Sequence, residues 1–224
     1  MDNGSQLYFA TAVFLATHFV RSTPLRGVLV KALGQKAYLG LYILVSFATI
    51  GWTVWAYNRA PLEPVWVGLR WLPAAVLPFA FILLAAGVLS RNPTIVGGDR
   101  LLKSPDPARG IIRVTRHPIM WAFMLWAGVH VLARGELYAT VFFGSYLVLA
   151  ALGALLIDGR KEKAMGEDWR RFAAVTSYFP FLAILQGRNR FKASEIGWRN
   201  PLIGLALYAV FFWFHPLLFG IRAY

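Results

Sequence analysis

The chain has 224 residues, of which 58% are hydrophobic and only 15% charged. A soluble domain is nearer one quarter charged, so a water-soluble globule is excluded. Lys and Arg outnumber Asp and Glu by 23 to 10, a formal net charge of +13. That excess sits in loops beside apolar blocks, which suits anionic headgroups and gives no reason to expect nucleic acid as a partner.

A bilayer-spanning helix needs roughly 20 predominantly apolar residues. Blocks approaching that length run at about 6–20, 38–57, 71–89, 118–133, 137–157 and 201–220. Met1-Asp2-Asn3-Gly4 ahead of the first block lacks the basic region of a secretory signal, so the block is read as a retained helix. The loop at 21–37 carries Arg21, Arg26, Lys31 and Lys36. The next connection, 58–70, holds only Arg59 and Arg70. The stretch at 91–115 is rich in Gly and Pro and reads as ordered loop. The fourth block is short, and Arg134-Gly135-Glu136 links it to the fifth as a tight hairpin.

After the fifth block, 158–176 is expected to form an amphipathic cytoplasmic helix. Met165, Trp169 and Phe172 lie at i, i+4 and i+7, which suits either the inner leaflet or the chain's own bundle. Phe179-Pro-Phe-Leu-Ala-Ile-Leu185 is too short to span and is expected to dip into the interface. Nineteen of the 23 Lys and Arg fall on alternating loops, with Arg59, Arg70, Arg134 and Arg222 opposite. The positive-inside bias then places the basic loops in the cytoplasm and both termini outside. The expected fold is all-α: one domain over 1–224, an integral membrane bundle of about six transmembrane helices. Membrane lipid and a lipophilic small molecule are the expected partners.

There is no cysteine, which excludes disulfides, thiolate metal sites and covalent c-type haem. The four histidines, His18, His117, His130 and His215, are the ionisable groups to explain, since such groups at membrane depth are costly and mark candidate sites. His117 stands at the cytoplasmic mouth of the fourth helix, and His130 lies roughly 20 Å further along it. Thirteen steps at about 100° each turn the two to different faces, so they are expected in different sites. His18 lies roughly 10 Å in projection from His130. Buried imidazoles held neutral can ligate metal, and two on facing helices with aromatic walls have the composition of a b-type haem pocket. A structural hydrogen bond is the alternative for His18 and His130, with Thr11 a partner for His18. His117 can anchor a helix start before Pro118, and His215 reads as an interfacial residue.

Gly110-Ile-Ile-Arg-Val-Thr-Arg-His-Pro118 followed by Trp126-Ala-Gly-Val-His130 resembles the signature of the NnrU family of membrane proteins. Further matching pieces are His18, Asp158-Gly159-Arg160, Gly166-Glu167-Asp168-Trp169, Ser177-Tyr-Phe-Pro180-Phe181, Gly187-Arg188 and His215-Pro216. The resemblance implies association with nitrite and nitric oxide reduction (denitrification) in a bacterial inner membrane. The same pattern is similar to the plant zeta-carotene isomerases, which use haem b to isomerise a cis double bond of a polyene. By position, their resemblance implies His18 and His130 as axial ligands and His117 as a further cofactor-binding histidine. Their cysteine three residues before the second ligand is Ala127 here. His18 with His117 is the competing pair.

A wider resemblance is to isoprenylcysteine and phospholipid methyltransferases of membranes, through Arg116-His117-Pro118 and the Gly166–Trp169 run. Their paired glutamates are missing, and Met120 replaces an aromatic. Three readings follow: a haem b isomerase or nitrogen-oxide protein; an S-adenosylmethionine methyltransferase using Arg116, His117 and the basic 158–171 stretch; and a non-catalytic maturation factor for a respiratory reductase. No Walker A loop, dinucleotide fingerprint, His-Glu-x-x-His or nucleophile elbow is present.

Overall fold

The computed structural model describes residues 2–220, and among these it contains helices but no strand, only an isolated antiparallel bridge between Pro64 and Glu136. Ten α-helices follow in order: α1 Asn3–Phe19, α2 Leu25–Leu33, α3 Gln35–Tyr57, α4 Leu72–Leu89, α5 Pro118–Arg134, α6 Leu137–Met165, α7 Glu167–Ala174, α8 Leu182–Leu185, α9 Ala193–Ile196 and α10 Arg199–Phe219. Asp2 caps α1 by accepting from the Ser5 amide at 2.8 Å. Gly34, at φ +79°, separates α2 from α3, and Pro118 occupies the first position of α5, where its missing N–H costs nothing.

Four helices, α3, α4, α6 and α10, are long and apolar enough to cross a membrane. The six-span expectation is met in part. α1 and α5 each have 17 residues, about 25 Å at 1.5 Å per residue against a hydrocarbon core of about 30 Å. In the four long helices no more than 28% of the apolar window is buried within the protein. The large apolar surface left over suits lipid. Arg222 lies outside the described residues.

The fold gathers into two compact units. One comprises the residues up to Arg70 with His130–Leu149, the other Trp71–Val129 with the residues from Ala150 onward. In the first, α1 packs on α3, and Phe14 of α1, fully buried, meets Tyr146 with ring centres 4.6 Å apart. Tyr146 OH shares a 2.9 Å hydrogen bond with Thr53 of α3, and Tyr57 stacks on Phe142 at 4.5 Å. The expected hairpin at Arg134-Gly135-Glu136 is present. Gly135 has φ +65°, and a β-carbon there would collide with the Trp66 carbonyl. That close approach lets residues 63–69 hook onto the turn: Val65 donates to the Gly135 carbonyl at 2.7 Å, and Leu137 to that of Glu63 at 2.9 Å.

In the second unit α4 packs on α10. Gly204 permits it, since a β-carbon there would stand 2.7 Å from Ile82 Cα. The core lies in the connection between α4 and α5. Leu102, Ile111, Ile112 and Val114 pack with Trp169 and Phe172 of α7 and Ala86 of α4. The Gly- and Pro-rich stretch is therefore ordered, as expected, with 3-10 turns at Gly98–Lys103 and Gly110–Arg113.

One expectation is corrected. The helix anticipated over 158–176 is broken at Gly166, φ +53°, into the end of α6 and a separate α7. Of its two anticipated roles, packing on the chain prevails. Trp169 and Phe172 are 2% and 0% exposed, leaving Glu167, Arg170 and Arg171 outward. Burying two such side chains contributes about 1.5–3 kcal/mol each, so the apolar face is satisfied without lipid.

Candidate functional site

Thr115, Arg116 and His117 run into α5 and are strapped to Ser177-Tyr178. Arg116 N–H donates to the Ser177 carbonyl at 3.0 Å, and Thr115 Oγ1 donates to that of Tyr178 at 2.7 Å. Thr115 Oγ1 also accepts from the His117 amide at 3.3 Å. The His117 side chain has no exposed area. Its Nε2 lies 2.6 Å from Oδ1 of Asp158, which projects from the far end of α6. Arg116 donates to the other oxygen, Oδ2, through Nε at 2.8 Å and Nη2 at 2.6 Å. A carboxylate held this way accepts only, so His117 Nε2 carries the proton in that contact.

His117 Nδ1 is buried and has no hydrogen-bond partner among the described residues. An orphaned buried polar atom costs about 1–3 kcal/mol. Donation of one ring nitrogen to a carboxylate is also how proteins orient an imidazole whose other nitrogen serves a ligand. The walls are aromatic: Tyr178 is 6.0 Å from the His117 ring, and Trp121 Nε1 donates to the Tyr178 carbonyl at 2.8 Å. The two groups that the methyltransferase reading assigned to a cofactor carboxylate, Arg116 and His117, are thus both engaged by Asp158.

The rest of the Gly110–Pro118 run is structural. Arg113, 7% exposed, donates to Glu195 (2.7 and 3.0 Å), Asp106 (2.6 Å) and Asn189 (2.8 Å). Glu195 Oε2 also accepts from the Gly110 amide at 3.0 Å, and Gly110 sits at φ +61° with the Glu195 backbone beside it. The Arg113 guanidinium, opposed by burial and helped by the Gly110 amide, pulls the Glu195 carboxyl down to about 2. Lys161 pairs with Asp99 and donates to the Pro93 carbonyl at 3.1 Å, pinning the start of the same connection.

His18 and His130 belong to the first unit and His117 to the second. His18, half-buried at the last turn of α1, places Nδ1 2.7 Å from the Phe14 carbonyl. That contact puts the proton on Nδ1 and leaves the Nε2 lone pair uncommitted. The anticipated Thr11–His18 bond is absent, because Thr11 Oγ1 donates to the Leu7 and Tyr8 carbonyls of its own helix. His130, also half-buried, stacks on Phe143 at 4.7 Å. Phe142 lies 5.0 Å from Phe143 and 5.1 Å from Tyr146, and Tyr146 lies 4.6 Å from Phe14, which flanks His18 at 4.4 Å. An unbroken series of rings therefore links the two imidazoles within one unit. His215 is half-buried beside Phe219. Among the described residues no three His, Cys, Asp or Glu gather as a metal site.

The pairing of Asp158 with both Arg116 and His117 is the functional relationship that sequence reasoning missed. A signal existed: Asp158 is the first charged residue after a run of apolar and small residues on α6.

Comparison with known proteins places these features in a family. The model of the family described as NnrU protein matches residues 6–223. The chain is 32% identical over 214 residues to "15-cis-zeta-carotene isomerase, chloroplastic" of Arabidopsis thaliana, covering 88% of this chain and 56% of that protein. It is 30% identical over 112 residues to the protein of the same name from Zea mays, covering 49% of this chain and 31% of that one. The chain thus spans about half, or less, of the curated relatives it matches. No solved structure matches it.

Proposed function

The chain belongs to the NnrU family, and we propose that it is a membrane isomerase that rotates a cis double bond of a carotenoid such as zeta-carotene, using haem b held by His18 and His130. The observation behind this reading is that His18 and His130, two half-buried imidazoles, lie in one unit among aromatic rings. The donor set suits the group. Two imidazoles without a thiolate are donors that axial ligation of haem b uses, and to hold one iron both would have to reach past the rings between them. Bound there, the haem would supply an iron centre able to polarise a polyene or exchange an electron with it.

The protein's own residues do the rest. Donation from His18 Nδ1 to the Phe14 carbonyl fixes the tautomer and the ring orientation. Phe14, Phe142, Phe143 and Tyr146 pack on one another and exclude water from between the two imidazoles. In the second unit Asp158 and Arg116 fix the His117 ring, leaving its Nδ1 for a ligand of that unit's own. The same haem would serve nitrogen-oxide chemistry, but both curated relatives are named as isomerases and favour the first reading. The setting is a bacterial inner membrane with both termini outside.

The experiment is isomer-resolved chromatography of 15-cis-zeta-carotene incubated with the purified, reconstituted chain. Loss of the 15-cis isomer with wild type, and none with His130→Ala, is the expected outcome. No conversion by haem-loaded wild type would remove this activity.

A further inference from the structure

Most large apolar side chains left exposed by the fold lie on the long helices, where a bilayer would cover them. Four do not. Phe179 (58% exposed), Phe181 (49%), Leu185 (81%) and Phe191 (52%) lie between α7 and α9, outside every candidate span.

The segment bearing them is firmly held. Phe181 N–H donates to the Val114 carbonyl at 2.8 Å. Ser177 Oγ donates to the Phe179 carbonyl and accepts from the Ala183 amide, which belongs to a fully buried residue. Arg188 donates to the Ala174 and Thr176 carbonyls, and Asn189 Nδ2 to that of Val175. Exposure here is therefore a property of the fold. Phe181 is also the one described non-glycine residue with positive φ, at +63°. A bulky residue adopts that conformation at a cost, and strain of this kind persists where the surroundings impose it for a purpose. Its ring stands 6.4 Å from Phe191, and Leu185 follows one turn later.

Charge selects what covers this patch. Residues 176–192 contain no Asp or Glu but include Arg188, Arg190 and Lys192. Arg188 is spent on backbone carbonyls and Gln186, and Lys192 reaches Glu195 at 3.3 Å, so Arg190 is the exposed cation of this stretch with no side-chain partner among the described residues. Aromatic and aliphatic tips bordered by basic residues are the composition of a surface that enters an anionic headgroup layer. We propose that Phe181, Leu185 and Phe191 form a fixed wedge inserted into the headgroup region of an anionic bilayer, with Arg190 on lipid phosphate. The proposal stands independently of the isomerase reading.

Because the chain has no cysteine, single-cysteine variants of the full protein report site by site. Leu185→Cys, labelled with an environment-sensitive nitrobenzoxadiazole, is placed in nanodiscs of phosphatidylcholine with or without phosphatidylglycerol. Ser194→Cys is the exposed control and Phe191→Cys the second reporter. The expected result is blue-shifted emission at 185 and 191 but not 194. A spin label near the headgroup should quench it more than one at the acyl terminus. Quenching should strengthen with phosphatidylglycerol, and Arg190→Glu should abolish that gain. Emission at 185 and 191 matching that at 194 overturns the proposal. So does a blue shift without lipid quenching that grows with protein density, which would assign the patch to a second copy. Equal quenching in both lipids removes the anionic selectivity.

Discussion

His117 Nε2 and Asp158 Oδ1 lie 2.6 Å apart, and the same carboxylate is clamped through its other oxygen by Arg116, the residue preceding His117. One acidic side chain on α6 thereby neutralises the guanidinium and fixes the imidazole at the mouth of α5. Its consequence is a buried Nδ1 whose availability depends on a group 41 positions away.

Asp158→Asn keeps the shape but removes the charge, so His117 can turn its ring or change tautomer. Helix content by circular dichroism should stay near wild type while the proposed isomerase activity falls about 10- to 100-fold, the usual loss when an orienting carboxylate is removed. Asp158→Ala should be worse and should also lower the melting temperature, because partly buried Arg116 is left with the Thr176 carbonyl and no carboxylate. Equal activity in wild type and Asp158→Asn would show that the orientation of His117 does not matter.

The Arg113–Glu195 pair predicts an acid-sensitive element. The folded-state carboxyl sits near 2 against 4.5 for the free group, so the pair's contribution is complete above about pH 4.5 and fades as pH falls towards 2. Melting temperature in detergent, followed from neutral to acid pH, should decline less steeply for Glu195→Gln than for wild type. At neutral pH the variant should melt lower.

Trp169→Ala tests whether α7 packs inward. Loss of a fully buried indole costs about 3–5 kcal/mol. Phe181→Ala, at an exposed position, should stay within about 0.5 kcal/mol in detergent. If the two variants melt alike, α7 is not part of the core.

Gly204→Ala places a methyl against the α4 backbone where α10 crosses it. Overpacking of this kind costs about 1–3 kcal/mol, visible as a lower melting temperature, whereas Gly144→Ala, with nothing within 4 Å, should not destabilise.

Helical class and most helix positions were legible because apolar runs set them directly: α3, α4, α6 and α10 fall close to the expected blocks. Two things were not. A period of i, i+4, i+7 at Met165, Trp169 and Phe172 fixes which face is apolar but not what covers it, and the covering residues, Leu102, Ile111 and Ile112, lie more than 50 positions upstream. The partners of Arg113 and His117 were hidden for the same reason. Glu195 is 82 positions from Arg113, and no local pattern marks such a pair. His18 and His130 were identifiable because ionisable groups in apolar runs stand out singly. The ring series between them required α1, α5 and α6 to be assembled.

The most direct test of the central claim is the visible absorption spectrum of the detergent-purified protein expressed with haem supply. Wild type should show a Soret band, lost in His18→Ala and His130→Ala and retained in His117→Ala, with all four proteins matched in helix content. Absence of the band from folded wild type, or its persistence in both His18→Ala and His130→Ala, would contradict the account.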